Sequence, residues 1–243
     1  MHRFFVPPAC IQSGQVVFPP ETAHQIIHVL RLRSGERLCV LDNLGNQYAV
    51  DLVETGQKTA VGKILEQQPA QGEPLLHLAL YLCLAQREKF EWMLQKCTET
   101  GAATFIPVIS SRSLVQDVAE TNKKTTRWEK IIQEAAEQSG RGRIPELKPA
   151  ASLAQAVLQG QGKKIMLWEQ ERSTTLRQAL SGVPANHSAE IALLIGPEGG
   201  FSEEEVQLSR KSGWQPVSLG PRILRMETAA IVATALVIYE LEK

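Results

Sequence analysis

The residues best placed to do chemistry lie in two short stretches of the C-terminal third. One is Leu193-Leu194-Ile195-Gly196-Pro197-Glu198-Gly199-Gly200-Phe201-Ser202, and the other is Leu219-Gly220-Pro221-Arg222-Ile223-Leu224-Arg225-Met226-Glu227-Thr228-Ala229. Each opens on an apolar, strand-like run and closes on a Gly- and Pro-rich elbow before a helix. Glycine lets a ligand approach main chain that a Cβ would keep away. Two such elbows from neighbouring strands would make a pocket lined by backbone, suited to a nucleoside-like ligand. Glu198 adds a carboxylate to the first elbow, and Arg222 and Arg225 add fixed cations to the second.

The elements around these elbows alternate. Leu75 to Ala85 reads as a near-continuous apolar strand, followed by a helix from about Lys89 to Thr100 that Gly101 ends. Strands are expected at Thr104–Ile109, Lys164–Trp168, Ile191–Ile195 and Gln215–Leu219. Helices are expected at Thr125–Gln138, near Thr175–Leu180 and at Glu227–Leu241. The helix after the first elbow opens on the capping-box pair Ser202 and Glu205 and stops at Gly213. Strands buried on both faces, alternating with helices, indicate a parallel α/β sheet with ligands beyond its carboxyl ends.

The N-terminal part has another rhythm. Short β-like runs at 2–6, Arg37 to Leu41, Gln47 to Val53 and Thr59 to Leu65 are separated by turn signals at 42–46 and Thr55-Gly56, as in a small barrel or curled sheet. One helix interrupts them, opened by Pro20 and running to about Leu32. The segment Pro69-Ala70-Gln71-Gly72-Glu73-Pro74 reads as the linker between two domains, at 1–69 and 74–243.

Further blocks are collinear with the elbows: Arg3-Phe4-Phe5-Val6, His28-Val29-Leu30-Arg31-Leu32-Arg33, Glu91-Trp92-Met93-Leu94-Gln95-Lys96 and Glu137-Gln138-Ser139-Gly140-Arg141. Together they span almost the whole chain. It resembles the SPOUT class of S-adenosylmethionine-dependent RNA methyltransferases, and within it the bacterial family that methylates N3 of a uridine in 16S ribosomal RNA. The resemblance implies an α/β SPOUT methyltransferase domain with a trefoil knot, preceded by a small β-rich PUA-like RNA-binding domain. The knot rests on the resemblance alone.

By the same resemblance, S-adenosylmethionine would sit on the backbone of Gly196, Glu198, Gly199 and Gly200. Leu219, Gly220, Ile223, Leu224 and Met226 would close over it. Leu167, Trp168 and Glu169, at the end of a third strand, would supply the remaining wall. A branched side chain at Gly199 would then occupy the ligand's place. Methylation at uracil N3 requires loss of its proton, and a fixed cation beside O2 and O4 would stabilise the anion. Arg225 is the first candidate and Arg222 the second; a surface ion pair with Glu227 is the other reading of Arg225. Glu198 takes the proton, orients the group that does, or satisfies the amides of its own turn. No general base is identified.

N3 lies on the Watson–Crick edge, so the uridine must be unpaired or flipped out. Candidate phosphate contacts are Arg31, Arg33 and Arg37, then Arg87 and Lys89, then Lys123, Lys124 and Arg127, then Arg141 and Arg143. Each cluster also reads as an ordinary solvated face. The stretch Gln138-Ser139-Gly140-Arg141 is expected to be functional because it matches the family. The expected partners are 16S ribosomal RNA of the small subunit and a second copy of the chain. The last helix, apolar on more than one face, would form the homodimer interface. A methyltransferase with another RNA target, and a catalytically silent RNA-binding ribosome-assembly factor, remain as alternatives.

Composition narrows the remaining classes. The 243 residues are 43% hydrophobic and 21% charged, with 26 basic and 26 acidic residues and no net charge. No global field draws the molecule to a polyanion, so RNA binding must come from local clusters. Four scattered cysteines read as small buried hydrophobes of a reduced compartment. With no leader and no apolar stretch long enough to span a bilayer, a cytoplasmic protein without membrane association is expected. No metal site is expected. His24 and His28 have zinc-protease spacing, but Gln25 stands where the base glutamate belongs and no third ligand is near. Gly160-Gln161-Gly162-Lys163-Lys164 lacks the upstream glycine and the following Ser/Thr of a P-loop. Dinucleotide-binding and serine-hydrolase glycine motifs are absent.

Overall fold

In the computed structural model, all residues except 118–120, 122, 185, 187–188 and 243 are described. The chain divides into two units, Met1–Glu73 with Ala136–Ile144, and Pro74–Ala135 with Pro145–Lys243.

The first unit contains β1 (Arg3–Phe5), β2 (Ile11–Gln12), β3 (Gln15–Val17), α1 (Pro20–His24), β4 (Arg37–Leu41), β5 (Asn46–Thr55) and β6 (Ala60–Pro69). They form a barrel-like sheet in the order β1-β4-β5-β6-β3-β2, with β1 parallel to β4 and every other pair antiparallel. Alternation sets the inner face: Tyr48, Val50 and Leu52 of β5 are buried with Phe4, Val16, Phe18, Ile26, Leu38 and Val40. Asp42 holds the β4–β5 turn by accepting from the amides of Leu44 (2.8 Å) and Asn46 (3.0 Å), the Asn46 side chain (2.7 Å) and the Tyr48 hydroxyl (3.2 Å).

The helix expected from Pro20 to Leu32 ends earlier. After α1 the chain makes one π-turn over Gln25–Val29. Arg31 then adopts a left-handed φ of 56°, and the Leu32 amide donates to the Ile26 carbonyl at 2.9 Å. This left-handed closure ends the helix. It also puts Arg31 and Arg33 on a reversal rather than on a helix face.

Residues 136–144, expected within the second domain, group with the first unit because their polar groups are spent there. Glu137 accepts from the Phe5 amide at 2.9 Å, Asn43 Oδ1 accepts from the Ile144 amide at 2.7 Å, and the Gly45 amide donates to the Gly142 carbonyl at 3.2 Å. Ala136 and Ile144 pack with Phe5, Cys39 and Leu41.

The second unit carries β7 (His77–Cys83), α2 (Arg87–Glu99), β8 (Thr104–Ile109), α3 (Thr125–Ser139, whose last turn belongs to the first unit), β9 (Glu146–Leu147), β10 (Ala151–Ser152) and α4 (Leu153–Gln159). Then follow β11 (Lys163–Leu167), α5 (Leu176–Leu180), β12 (Glu190–Ile195), α6 (Glu203–Lys211), β13 (Gln215–Val217) and α7 (Met226–Leu241). The sheet is parallel throughout, in the order β10-β8-β7-β12-β11-β13, with β9 also paired to β8. Beyond their exposed first residues, His77 and Glu190, the central strands are apolar because both faces are covered: Leu78, Leu80 and Leu82 of β7 and Leu193 and Leu194 of β12 are buried. Trp214 closes one side, its Nε1 donating to the Val157 carbonyl at 2.9 Å. The capping box of α6 forms as expected, and Gly213 beyond its end has φ 86°.

Candidate active site

The carboxyl ends of three strands converge on a cavity of about 620 Å³. The elbows were expected to come from neighbouring strands. They do not: β11 lies between β12 and β13, pairing Leu167 with Ile195 on one side and with Val217 on the other. Leu167, Trp168 and Glu169 therefore form the middle of the wall rather than its remainder. Gly196, Glu198, Gly199 and Gly200 line one side, and Leu219, Gly220, Ile223, Leu224 and Met226 the other. Arg222 and Arg225 line the cavity too. Ile223 is 82% exposed, the highest value among the large apolar side chains of the described residues.

The glycines are needed for different reasons. At Gly196 a Cβ would lie 2.8 Å from the Phe201 ring, and at Gly200, with φ 67°, it would lie 2.7 Å from Glu169 Oε1. Gly220 has φ 115° and open space where its Cβ would be. Gly199 lines the cavity and is also touched from outside it. An added Cβ there would meet the Arg112 side chain at 3.4 Å, and Arg112 Nη1 donates to the Gly199 carbonyl at 2.9 Å. Arg112 thus braces the elbow from the side on which the Gly199 side chain would project.

The charged groups divide into paired and unpaired. Glu198 is bound by Lys89 at 2.5 Å, which ties the start of α2 to the first elbow. Glu171, in the loop after β11, accepts from the Ser173 hydroxyl at 2.6 Å and the Ser173 amide at 2.7 Å. The hydroxyl bond first, and then the amide bonds, hold its carboxyl below the usual carboxylate range. Arg225 is the exposed N-cap residue of α7. The surface pair with Glu227 does not form, because Glu227 is only 8% exposed and lines the cavity. Two buried polar atoms of the lining, Trp168 Nε1 and Glu227 Oε2, have no hydrogen-bond partner. Arg210 stacks over Trp168 with its guanidinium carbon 5.5 Å from the ring centroid.

The candidate RNA contacts fare unequally. Arg31 and Arg33 are exposed and make no ion pair among the described residues. Arg37 is engaged by Asp51 at 2.8 Å. Arg87 and Arg127 both converge on Glu91, at 3.0 and 2.6 Å. The Arg127 bond is the main reason the Glu91 carboxyl is held below its usual range. Arg141 is 3% exposed and paired with Glu73 at 3.1 Å, so the expected phosphate contact is an internal ion pair of the first unit. Arg143 is likewise spent, donating from Nη2 to the Leu44 carbonyl at 2.8 Å. Gln138 is exposed, Ser139 half-buried, and Lys123 exposed.

Arg172, Ser218 and Glu227 line the cavity but were not singled out as site residues. Glu227 had a signal: a carboxylate in the first turn of an otherwise apolar helix that follows a glycine elbow. Among the described residues no group of three or more His, Cys, Asp and Glu is placed to hold a metal. No helix among them is long and apolar enough to cross a membrane.

Residues 71–238 match the family model described as an RNA methyltransferase domain. The ribosomal RNA small subunit methyltransferase E of Synechocystis sp. is 34% identical over 237 residues, covering 96% of this chain and 76% of that protein. The protein of the same name from Bacillus subtilis is 32% identical, covering 91% and 89%. The crystal structure of a ribosomal RNA small subunit methyltransferase E from Neisseria gonorrhoeae bound to S-adenosyl methionine superposes with a TM-score of 0.86 at 30% identity, over 97% of this chain and 96% of that one. The chain belongs to the ribosomal RNA small subunit methyltransferase E family of RNA methyltransferases.

Proposed function

We infer that the protein transfers the methyl group of S-adenosylmethionine to N3 of a uridine in 16S ribosomal RNA of the small subunit. The observation that carries this is the three-stranded cavity, together with family membership. Its volume suits a small-molecule site, which typically holds about 300–1,000 Å³. Its walls fit a nucleoside carrying hydrogen-bonding groups, since the glycine elbows expose main chain and Trp168 Nε1 is a buried donor with nothing to bind.

In this reading Gly196, Glu198, Gly199 and Gly200, with Leu219, Gly220, Ile223, Leu224 and Met226, hold S-adenosylmethionine, and Leu167, Trp168 and Glu169 form the wall between. When bound, S-adenosylmethionine supplies an electrophilic methyl on a sulfonium. Arg225 lies against O2 or O4 of the uracil and stabilises the anion that N3 becomes as it loses its proton. Glu198, neutralised by Lys89, orients the first elbow and its ligand. Calorimetric titration with S-adenosylmethionine tests the cavity: about one site per chain is expected, lost when both elbows are altered.

The first domain, residues 1–69, contacts RNA through Arg31 and Arg33, and within the catalytic domain at 74–243 Gln138, Ser139 and Lys89, the last at the mouth of the cavity beside Glu198, add further contacts. The protein acts in the cytoplasm as a homodimer. Support for the dimer comes from α7, where Ala230, Ala233 and Val237 are buried while Val232, Leu236 and Tyr239 are exposed. An apolar helix with one covered and one open face calls for a partner.

A further inference from the structure

The site contains three carboxylates along its walls, and they are not equivalent. Glu198 is neutralised by Lys89, and Glu169 is exposed to water. Glu227 is different: it is 8% exposed, lines the cavity, and its Oε2 is buried without a donor. Burying a carboxylate oxygen without a hydrogen bond is costly, because the group loses its hydration and gains no donor in return. The first turn of α7 offsets part of that cost, because the positive end of the helix dipole faces the charge. The rest is unrecovered by the protein alone, which is the condition of a group kept for a ligand.

We propose that Glu227 is a catalytic residue, the carboxylate that accepts the N3 proton of the target uridine. The inference rests on the methyltransferase reading above. The N3–H bond breaks and an O–H bond forms on Glu227. The nitrogen pair left behind forms the bond to the methyl carbon as the carbon–sulfur bond breaks, and the two electrons of the broken bond stay on sulfur. The carboxylate and sulfonium charges cancel, leaving 3-methyluridine, a neutral thioether and a protonated Glu227 that returns its proton to solvent. Arg225 stands two residues earlier, so one helix start carries both the proton acceptor and the cation that stabilises the uracil oxygens.

The test compares the full-length protein with Glu227→Gln on small-subunit RNA carrying either uridine or 5-fluorouridine at the target. Fluorine makes N3 more acidic and so lessens the need for a base. For the variant, kcat on uridine is expected to fall by about 10²–10⁴-fold with little change in KM, and 5-fluorouridine to restore at least about tenfold of it. Calorimetric affinity for S-adenosylmethionine and the melting temperature should stay near those of the unaltered protein. Glu227→Asp, which keeps a carboxylate, should retain more activity than Glu227→Gln and gain less from fluorine. A Glu227→Gln variant with undiminished kcat would overturn the proposal. So would a loss of S-adenosylmethionine affinity that accounts for the lost rate, or equal damage from Asp and Gln with no rescue by fluorine. If the unaltered protein transfers no methyl group to either RNA, the methyltransferase reading itself fails.

Discussion

The carboxylate of Glu169, at the end of β11, lies 2.7 Å from where a Cβ of Gly200 would stand. The end of the middle strand and the first elbow thus meet closely enough that an added Cβ would push the Glu169 carboxylate aside, and φ 67° at Gly200 disfavours most other residues on backbone grounds.

Gly200→Val is therefore expected to displace Glu169 and reshape the cavity wall. The left-handed backbone alone costs a branched residue about 1–2 kcal/mol. Affinity for S-adenosylmethionine should fall by at least about tenfold, which corresponds to about 1.4 kcal/mol. Calorimetry reads the affinity, and an unchanged value in a folded variant would remove Gly200 from the ligand's wall.

Asp42 predicts an acid response of the first unit. Burial alone would push its carboxyl up, but the hydrogen bonds from Asn46, Leu44 and Tyr48 outweigh burial and hold it below the usual range. A carboxyl lowered on folding contributes stability that is present above its unfolded value, about 3.9, and lost as pH falls through the folded one. Asp42→Ala should cost about 1.5–3 kcal/mol near neutral pH, since it removes bonds to a charged group. The difference should shrink below about pH 4, as urea titrations at several pH values would reveal. A pH-independent difference would mean that packing, not charge, holds the turn.

Arg31 and Arg33 should carry a local field that the neutral net charge hides. Changing both to Ala is expected to weaken RNA binding and to lower its salt slope by about 1–2, because each phosphate contact releases counterions. Affinity for S-adenosylmethionine should be unaffected. Filter binding across a salt series decides it, and an unchanged slope would place the RNA elsewhere.

Dimerisation should depend on the open face of α7. Sedimentation at micromolar concentration is expected to show twice the chain mass of 26.8 kDa. Leu236→Arg, which puts a charge on a half-exposed apolar position, should shift the protein toward the single chain. A single chain in the unaltered protein would end the dimer proposal.

Much of the second unit was legible because its signals are local. The apolar runs of β7 and β12, the Ser202–Glu205 capping box and Gly213 each fix an element without long-range information. Ser152 and Gln155, the capping box that opens α4, are a local signal of the same kind. Strands β2 and β3 are two and three residues long, too short for alternation to register. What sequence cannot give is adjacency. That β11 separates the two elbow strands, that Glu227 is buried rather than on the surface, and that Arg141 turns inward to Glu73 all depend on contacts between distant parts of the chain. Arg141 in particular carries a charge that reads as RNA-binding until its partner is known.

The most direct test of the central claim is methyl transfer itself. The purified protein is incubated with methyl-labelled S-adenosylmethionine and small ribosomal subunits, or their 16S RNA, from a strain lacking the protein, and the labelled nucleoside is identified. Label in 3-methyluridine at a single position of 16S RNA is the predicted result; no label, or label on another nucleoside or on a ribose oxygen, would contradict it.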